Sequence, residues 1–276
     1  MIVPVIVPMR TAIVIPALDE AETIRTIAQR AVVIADVVIV VDDGSIDGTS
    51  AALADVPVTL IRHEHNLGKA ASLWDGMQAA LAAGADVIVT MDGDGQHAVD
   101  DVTRLLRALA AHPRTFAIGA RVRCHGPMPK SRRFANRFAD FWISWAAGHR
   151  VLDSQSGQRA YPAALLRGLD LPHGPSRAFT LESELVIEAA RHGFSTVAVP
   201  IDAVYLHAGR PSHFRLWRDT ARIVVMIAGR LLRGGLYVPG LVASLRRGAV
   251  IHDPTIDVVA ADGDFEDRAT PAHGGE

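Results

Sequence analysis

The segment DVIVTMDGDGQH, residues 86–97, drives a run of apolar, mostly β-branched residues into carboxylates, with Asp92 and Asp94 two apart and Gln96 and His97 behind them. A strand buried on both faces ends at the C-terminal edge of its sheet, where open α/β folds place ligands. Two carboxylates and an amide oxygen at that edge form a hard-oxygen set suited to Mg²⁺ or Mn²⁺, with phosphate oxygens completing the shell. DVVIVVDDGSIDGTS, residues 36–50, repeats the pattern, ending in Asp42 and Asp43 before a Gly44-Ser45 turn. The letters exclude an EF-hand calcium loop: counting from Asp92 puts His97 where the invariant glycine belongs and Thr103 where the bidentate glutamate belongs. A solvated acidic turn is the plain alternative, but it has no need of four carboxylates at two strand ends.

The elements that position these carboxylates alternate along the chain. Strand-like stretches at 11–16, 37–41, 58–62, 86–91 and 115–121 are separated by helix-like ones at 19–34, 69–83 and 99–110, the second closed by Gly84. This alternation predicts an α/β fold with a mostly parallel central sheet flanked by helices. The first strand is followed by PALDEAE rather than G-x-G-x-x-G, and the chain has no P-loop, so phosphate recognition falls to side chains.

PALDE at 16–20, VVDDGSIDGTS at 40–50, NLGKAASLWDGMQAALAAGADVI at 66–88, MDGDGQH at 91–97 and DSQSGQRAYP at 153–162 together resemble the family 2 glycosyltransferases. Within that family they are most similar to the dolichol-phosphate and polyprenyl-phosphate mannosyl- or glucosyltransferases. The likeness runs from about Thr11 to about His213. It implies a GT-A-type nucleotide-sugar-binding fold and a metal-dependent transfer that inverts the anomeric centre. The donor is then a GDP- or UDP-linked hexose, and the acceptor is lipid-linked, with polyprenyl phosphate foremost. A hydroxyl acceptor on a lipid, pigment or saccharide, and a non-catalytic nucleotide-sugar-binding protein, are the alternatives.

The same resemblance assigns residues. Asp92, Asp94 and Gln96 are implied metal and donor ligands. Pro16, Leu18 and Glu20 border the base and ribose, with Asp43 near the base and Asp42 in the same donor set. Relatives often carry an aromatic residue at the position of Leu18. Arg121 is placed on the donor diphosphate, a planar fork suited to phosphate oxygens, or is a solvated surface arginine. Lys69 reaches a phosphate or merely begins a helix. Asp153, Ser156, Gly157 and Arg159 match the family's D-x-x-S-G-F-R segment, with Gln158 replacing the aromatic. Asp153 is the candidate to orient the sugar or, for a hydroxyl acceptor, to act as base. Arg159 holds an anionic acceptor or pairs with Asp153. Glu184 best fits the family's helix carboxylate, and Asp94, Asp153, Arg159 and Glu184 make up the catalytic set. Where polyprenyl-phosphate enzymes commonly show R-x-x-G-x-S-K, this chain has His207, Arg210, Ser212 and His213; Arg210, Ser212 and His213 are the acceptor candidates alongside Arg159.

Composition agrees. A chain of 276 residues that is 49% hydrophobic can bury one large α/β core, and a net charge of −2 gives no reason to expect nucleic acid. The single cysteine, Cys124, excludes an intrachain disulfide and fits a reducing cytosol. MIVPVIVPMR lacks the basic region and cleavage site of a signal peptide and is too short to span a bilayer.

Residues 11–213 are therefore read as one catalytic domain. The stretch MPKSRRFANRFADFWISWAAGHR spaces Phe134, Phe138, Phe141, Trp142 and Trp145 three and four apart, an amphipathic helix read as an acceptor-side element near a membrane or as an ordinary core helix. Residues 214–250 form a basic amphipathic helical extension, with seven arginines against one acid between Phe214 and Arg247. This composition suits a helix lying on anionic lipid, Arg230 and Arg233 facing it, at the cytoplasmic, inner face of a membrane. Completion of the core or of a homodimer interface is the alternative. Residues 251–276, acidic and poor in large apolar groups, are expected to be a disordered tail.

Overall fold

A computed structural model of the chain describes residues 9–121, 130–169, 171, 180–202, 216–233, 235–253 and 256–259. The strands are β1 (Thr11–Ala17), β2 (Val37–Asp42), β3 (Thr59–Arg62), β4 (Val87–Thr90), β5 (Thr115–Ala120), β6 (Arg159–Pro162), β7 (Ser195–Pro200), β8 (Val250–Asp253) and β9 (Ile256–Val259). They form one sheet in the order β3-β2-β1-β4-β6-β5-β7-β8-β9. The ladders β3-β2, β2-β1, β1-β4, β5-β7 and β7-β8 are parallel, while β6 runs antiparallel to both β4 and β5. The mostly parallel sheet expected from the alternating pattern is present, and its central strands β1, β2, β4 and β5 are buried on both faces, as strands covered by helices must be.

Alternation along β1 and β2 divides the core. Ala12, Val14, Ile39 and Val41 pack with Leu73, Trp74 and Met77 of α2 (Lys69–Ala82), Ile143 of α4 (Lys130–Ala147) and Leu185 of α6 (Leu181–Arg191). Ile13, Ile15, Val38 and Val40 face the other way, onto Ile24 and Ile27 of α1 (Ile24–Ile34) and Val102 and Leu105 of α3 (Asp101–Ala111). A short α5 (Ala163–Leu166) follows β6.

Three expectations change. The first helix begins at Ile24, not residue 19, because the main-chain N–H groups of Asp19, Glu20 and Ala21 donate to Ser45 Oγ, Thr49 Oγ1 and Asp47 Oδ2 instead of entering a helix. Residues 251–253 and 256–259, expected to begin a disordered tail, instead lie in strands: β8 joins the sheet beside β7 and pairs antiparallel with β9. The apolar stripe of α7 (Leu216–Arg233) does not face outward. Ile223, Ile227 and Leu231 are at most 4% exposed and belong to the cluster that includes Ile143 and Leu185. Arg230 ion-pairs with Glu188 and lies 3.9 Å from Glu184, so it is not the lipid-facing charge expected from the sequence. A final helix, α8 (Val238–Arg246), packs on α4.

Candidate active site

The antiparallel direction of β6 assembles the site. Because Arg159 pairs with Thr90, the DSQSG segment that precedes β6 lies against the C-terminal end of β4. There Thr90 Oγ1 donates to Gly157 O at 3.0 Å, and a Cβ on Gly157 would lie 2.3 Å from Asp92 Oδ2, so only glycine leaves room for that carboxylate. On the other side, a Cβ on Gly93 would meet Pro16 O at 3.2 Å and Glu20 Cγ at 3.6 Å, and Thr23 Oγ1 donates to Gly93 O. The D-G-D turn is thus held between PALDE and DSQSG, bringing Pro16, Glu20, Asp92 and Asp94 to one edge with Leu18, half-buried, in the same PALDE turn.

Two ion pairs organise the charges. Lys69, the first residue of α2, places Nζ 2.7 Å from Asp92 Oδ1 and 3.0 Å from Glu182 Oε1. Burial works against its charge, but Asp92 and Glu182 outweigh it and raise the ammonium pKa. Burial likewise opposes ionisation of Asp92, yet Lys69 and then His97 hold its carboxyl below the usual range. Among the described residues no cation ion-pairs with Asp94: burial first, then the charge of Asp92, push its carboxyl up. The main-chain N–H of Gln96 donates to Asp94 Oδ1 at 3.0 Å, which is how Gln96 enters the site. Two crowded carboxylates with charge left to neutralise suit a divalent cation that takes one or two protein carboxylates and completes its shell with phosphate oxygens. Among the described residues no three His, Cys, Asp or Glu side chains converge as a metal cage.

In the second pair, Arg121 Nε and Nη2 each donate at 2.7 Å to the two oxygens of Asp153, and the Arg121 main-chain N–H donates to Oδ2 at 2.9 Å. Burial would raise the Asp153 carboxyl, but these bonds from Arg121 pull it below its ordinary range. His97, 6% exposed, lies among Asp92, Arg121, Asp94 and Asp153; burial outweighs their net attraction and lowers its pKa.

Asp140, a residue the motifs did not mark, fixes Asp153 from α4. Its Oδ2 accepts from the Asp153 main-chain N–H at 3.2 Å, and its Oδ1 accepts from Ser154 N at 2.8 Å and Ser154 Oγ at 2.5 Å. Asp153 has a φ of +48°, a left-handed conformation rarely adopted by non-glycine residues, which these bonds hold in place. Burial and then the neighbouring Asp153 raise the Asp140 carboxyl to about 7. An acid with a raised folded pKa takes up a proton on folding, so its contribution to stability is largest below its unfolded pKa and is lost as pH rises towards 7. Thermal melts should therefore show Asp140→Asn gaining on the wild type between about pH 4 and pH 7; a difference between the two that is flat with pH would contradict the buried, protonated acid.

Four assignments made from the sequence do not hold. Asp42 is fully buried and accepts from Ser45 N and Ser50 Oγ; Asp43 is 3% exposed and accepts from His63 Nδ1, Leu67 N and Gly68 N. Both carboxylates are engaged in tying turns together. Arg159 is fully buried, donating to the carbonyls of Ser154, Ser156 and Glu182, so it reaches neither an acceptor nor Asp153. Glu184 is fully buried towards Arg230, and the α6 carboxylate that reaches the site is Glu182. Gln158, in place of the family's aromatic, donates to Ala98 O and links the loop to the chain beyond the D-G-D turn. Arg210, Ser212 and His213 lie outside the described residues.

A sheet of this order, with its acidic pair at the β4 edge and no glycine-rich loop after β1, is the GT-A-type nucleotide-sugar-binding fold that the motifs implied. Residues 12–163 match the family described as Glycosyl transferase family 2, and the chain belongs to that family: it is a glycosyltransferase. It is similar to the polyprenol monophosphomannose synthase of Mycolicibacterium smegmatis, at 34% identity over 70% of this chain and 76% of that protein. The undecaprenyl-phosphate mannosyltransferase of Micrococcus luteus is 32% identical over 73% of this chain and 86% of its own length. Among solved structures, the glucosyl-3-phosphoglycerate synthase of Mycobacterium tuberculosis in complex with Mn²⁺, UDP and glucosyl-3-phosphoglycerate superimposes with a TM-score of 0.62 at 20% identity, over 83% of this chain and 81% of that one.

Proposed function

We propose that the chain transfers a hexose from a UDP- or GDP-sugar to a lipid-linked phosphate of the polyprenyl phosphate class, working peripherally at the cytoplasmic face of a membrane. The observation that carries this reading is the Asp153–Arg121 pair. Transfer to a hydroxyl needs a base to take its proton, and the candidate for that role has both oxygens engaged by a guanidinium that lowers its proton affinity. A phosphate acceptor is already ionised near neutral pH and needs no base. The names of the two bacterial relatives, a polyprenol monophosphomannose synthase and an undecaprenyl-phosphate mannosyltransferase, support the same class.

An acceptor phosphate oxygen forms a bond to the anomeric carbon as the bond to the donor diphosphate breaks. The nucleoside diphosphate leaves with the electron pair, and the configuration inverts. Asp92 and Asp94 would hold Mg²⁺ or Mn²⁺, which when bound supplies Lewis-acid neutralisation of the leaving diphosphate. Lys69 holds Asp92 in place and keeps it ionised, Asp153 aims the guanidinium of Arg121, and Glu20 with Pro16 borders the nucleoside. The test is to offer labelled UDP- and GDP-hexoses with polyprenyl phosphate and, separately, with the matching polyprenol. A glycosyl phosphodiester formed only with the phosphate is the expected result. Transfer to the alcohol at a comparable rate would replace this reading by the hydroxyl-acceptor one.

A further inference from the structure

Two apolar stripes on adjoining helices are left facing outward. On α4, Phe134, Phe138 and Phe141 are 63%, 40% and 42% exposed; on α8, Val238, Val242 and Leu245 are 56%, 41% and 56% exposed. Both sets recur at i, i+4 and i+7, so each occupies one face of its helix. An aromatic ladder joins them. Phe134 stacks on Phe138 at 6.2 Å between ring centroids, Phe138 meets Trp142 at 6.1 Å, and Trp142 stacks on Trp145 at 5.3 Å. Trp145 Nε1 then donates to Leu236 O at 3.0 Å, fixing the corner from which α8 departs. That corner runs through Gly235, Leu236 and Tyr237, all with positive φ, and turns the chain by 111° between α7 and α8. No single described helix is long and apolar enough to cross a membrane.

We propose that these two stripes form a docking face for an anionic lipid leaflet, with α4 and α8 lying in the interface rather than crossing it. Charge selects this occupant. The α4 sequence carries Lys130, Arg132, Arg133 and Arg137 against one acid, Asp140, which is turned inward onto Ser154. The α8 sequence contains no acid and runs into exposed Arg246 and Arg247. A second copy related by a two-fold axis would set these like charges against themselves. A leaflet accepts both features, with aromatic and aliphatic side chains at the acyl boundary and guanidinium groups among the headgroups. The docking depends on the functional reading only for its biological sense, and vesicles free of acceptor test it alone.

The experiment is sedimentation of the full chain with phosphatidylcholine vesicles, with and without phosphatidylglycerol. Binding to the anionic vesicles is expected at low salt and should weaken as salt rises. Two variants separate the stripes: Phe134→Ser with Phe138→Ser and Phe141→Ser, and Val242→Ser with Leu245→Ser. Each should lower the vesicle partition coefficient at least ~5-fold, because apolar side chains that would sit at the acyl boundary are replaced by polar ones. All five substituted residues are exposed, so an unchanged melting temperature is the control for folding. Arg246→Glu with Arg247→Glu should also lose anionic binding while transferring sugar normally to a short-chain acceptor in detergent. No binding at low salt, equal binding to neutral and anionic vesicles, or stripe variants that bind like the wild type would overturn the proposal. So would a dimer dissolved by the same substitutions, since the face would then be covered by a second copy. Anionic vesicle binding by a protein that transfers no sugar to polyprenyl phosphate would count against the functional reading and leave the docking face standing.

Discussion

Asp94→Asn is expected to lower sugar transfer by at least ~10²-fold, the scale seen when a group that stabilises developing transition-state charge is removed. Asp92 has Lys69 as its counter-ion at 2.7 Å, whereas Asp94 accepts the Gln96 N–H and carries a carboxyl raised by burial and then by Asp92, more than Gln96, His97 and Lys69 lower it. A neutral amide relieves that crowding, so the fold should be as stable as the wild type or more so, while the attraction for a dication is lost. Two measurements separate these effects. Calorimetric binding of UDP or GDP should depend on Mn²⁺ in the wild type and be insensitive to it in the variant, and the melting temperature should not fall. Near wild-type turnover by a folded Asp94→Asn protein would remove the centre of the proposed chemistry.

Arg159→Ala should act on the fold rather than on acceptor binding. The guanidinium is fully buried and supplies the donors for Ser154 O at 2.6 Å, Ser156 O at 2.8 Å and Glu182 O at 2.8 Å. Alanine leaves three carbonyls without these donors and opens a cavity, so a loss of about 3–5 kcal/mol is expected. That is a large share of the ~5–15 kcal/mol that holds a typical domain together. Arg159→Lys should recover only part of it, because an ammonium cannot direct planar donors to three separate carbonyls. Chemical denaturation measures this directly. A variant that melts like the wild type but shows a raised acceptor KM would restore the acceptor role read from the sequence.

The contrast between Arg159 and Arg121 shows where the sequence stops. Both arginines had two readings open, Arg121 after an apolar strand and Arg159 at the end of the DSQSGQR motif. Arg121 follows β5 at the edge where Asp153 arrives, and the two close into a bidentate pair. Arg159 begins β6 with its side chain directed into the interior, under the loop that precedes it. The direction of β6 decides the difference, and four residues, Arg-Ala-Tyr-Pro, carry no periodic signal that would have revealed an antiparallel strand between β4 and β5. Glu182 and Glu184 are a similar case. They stand two apart near the start of one helix, so they point to different sides: one meets Lys69 and the other goes into the core towards Arg230. Asp140 carried a faint signal as the sole acid of a basic helix, but its partners lie 13 and 14 residues away, beyond the helix end.

The sequence by itself determined the alternation of strands and helices, the strand ends at which carboxylates collect, and the motif order that marks the family. These follow from local patterning, in which apolar runs specify buried parallel strands and the residues beyond them fall at one edge of the sheet. Only the tertiary structure decided which charges work at the surface of the site and which are spent inside. Asp42, Asp43, Arg159 and Glu184 are as polar in the sequence as Asp92, Asp94, Arg121 and Glu182. Their burial is tolerable because main-chain N–H groups, carbonyls or an opposite charge from distant segments meet them there. The same holds for the basic C-terminal region: its composition fits a lipid surface throughout, but packing turns the apolar stripe of α7 inward against α4 and leaves those of α4 and α8 exposed.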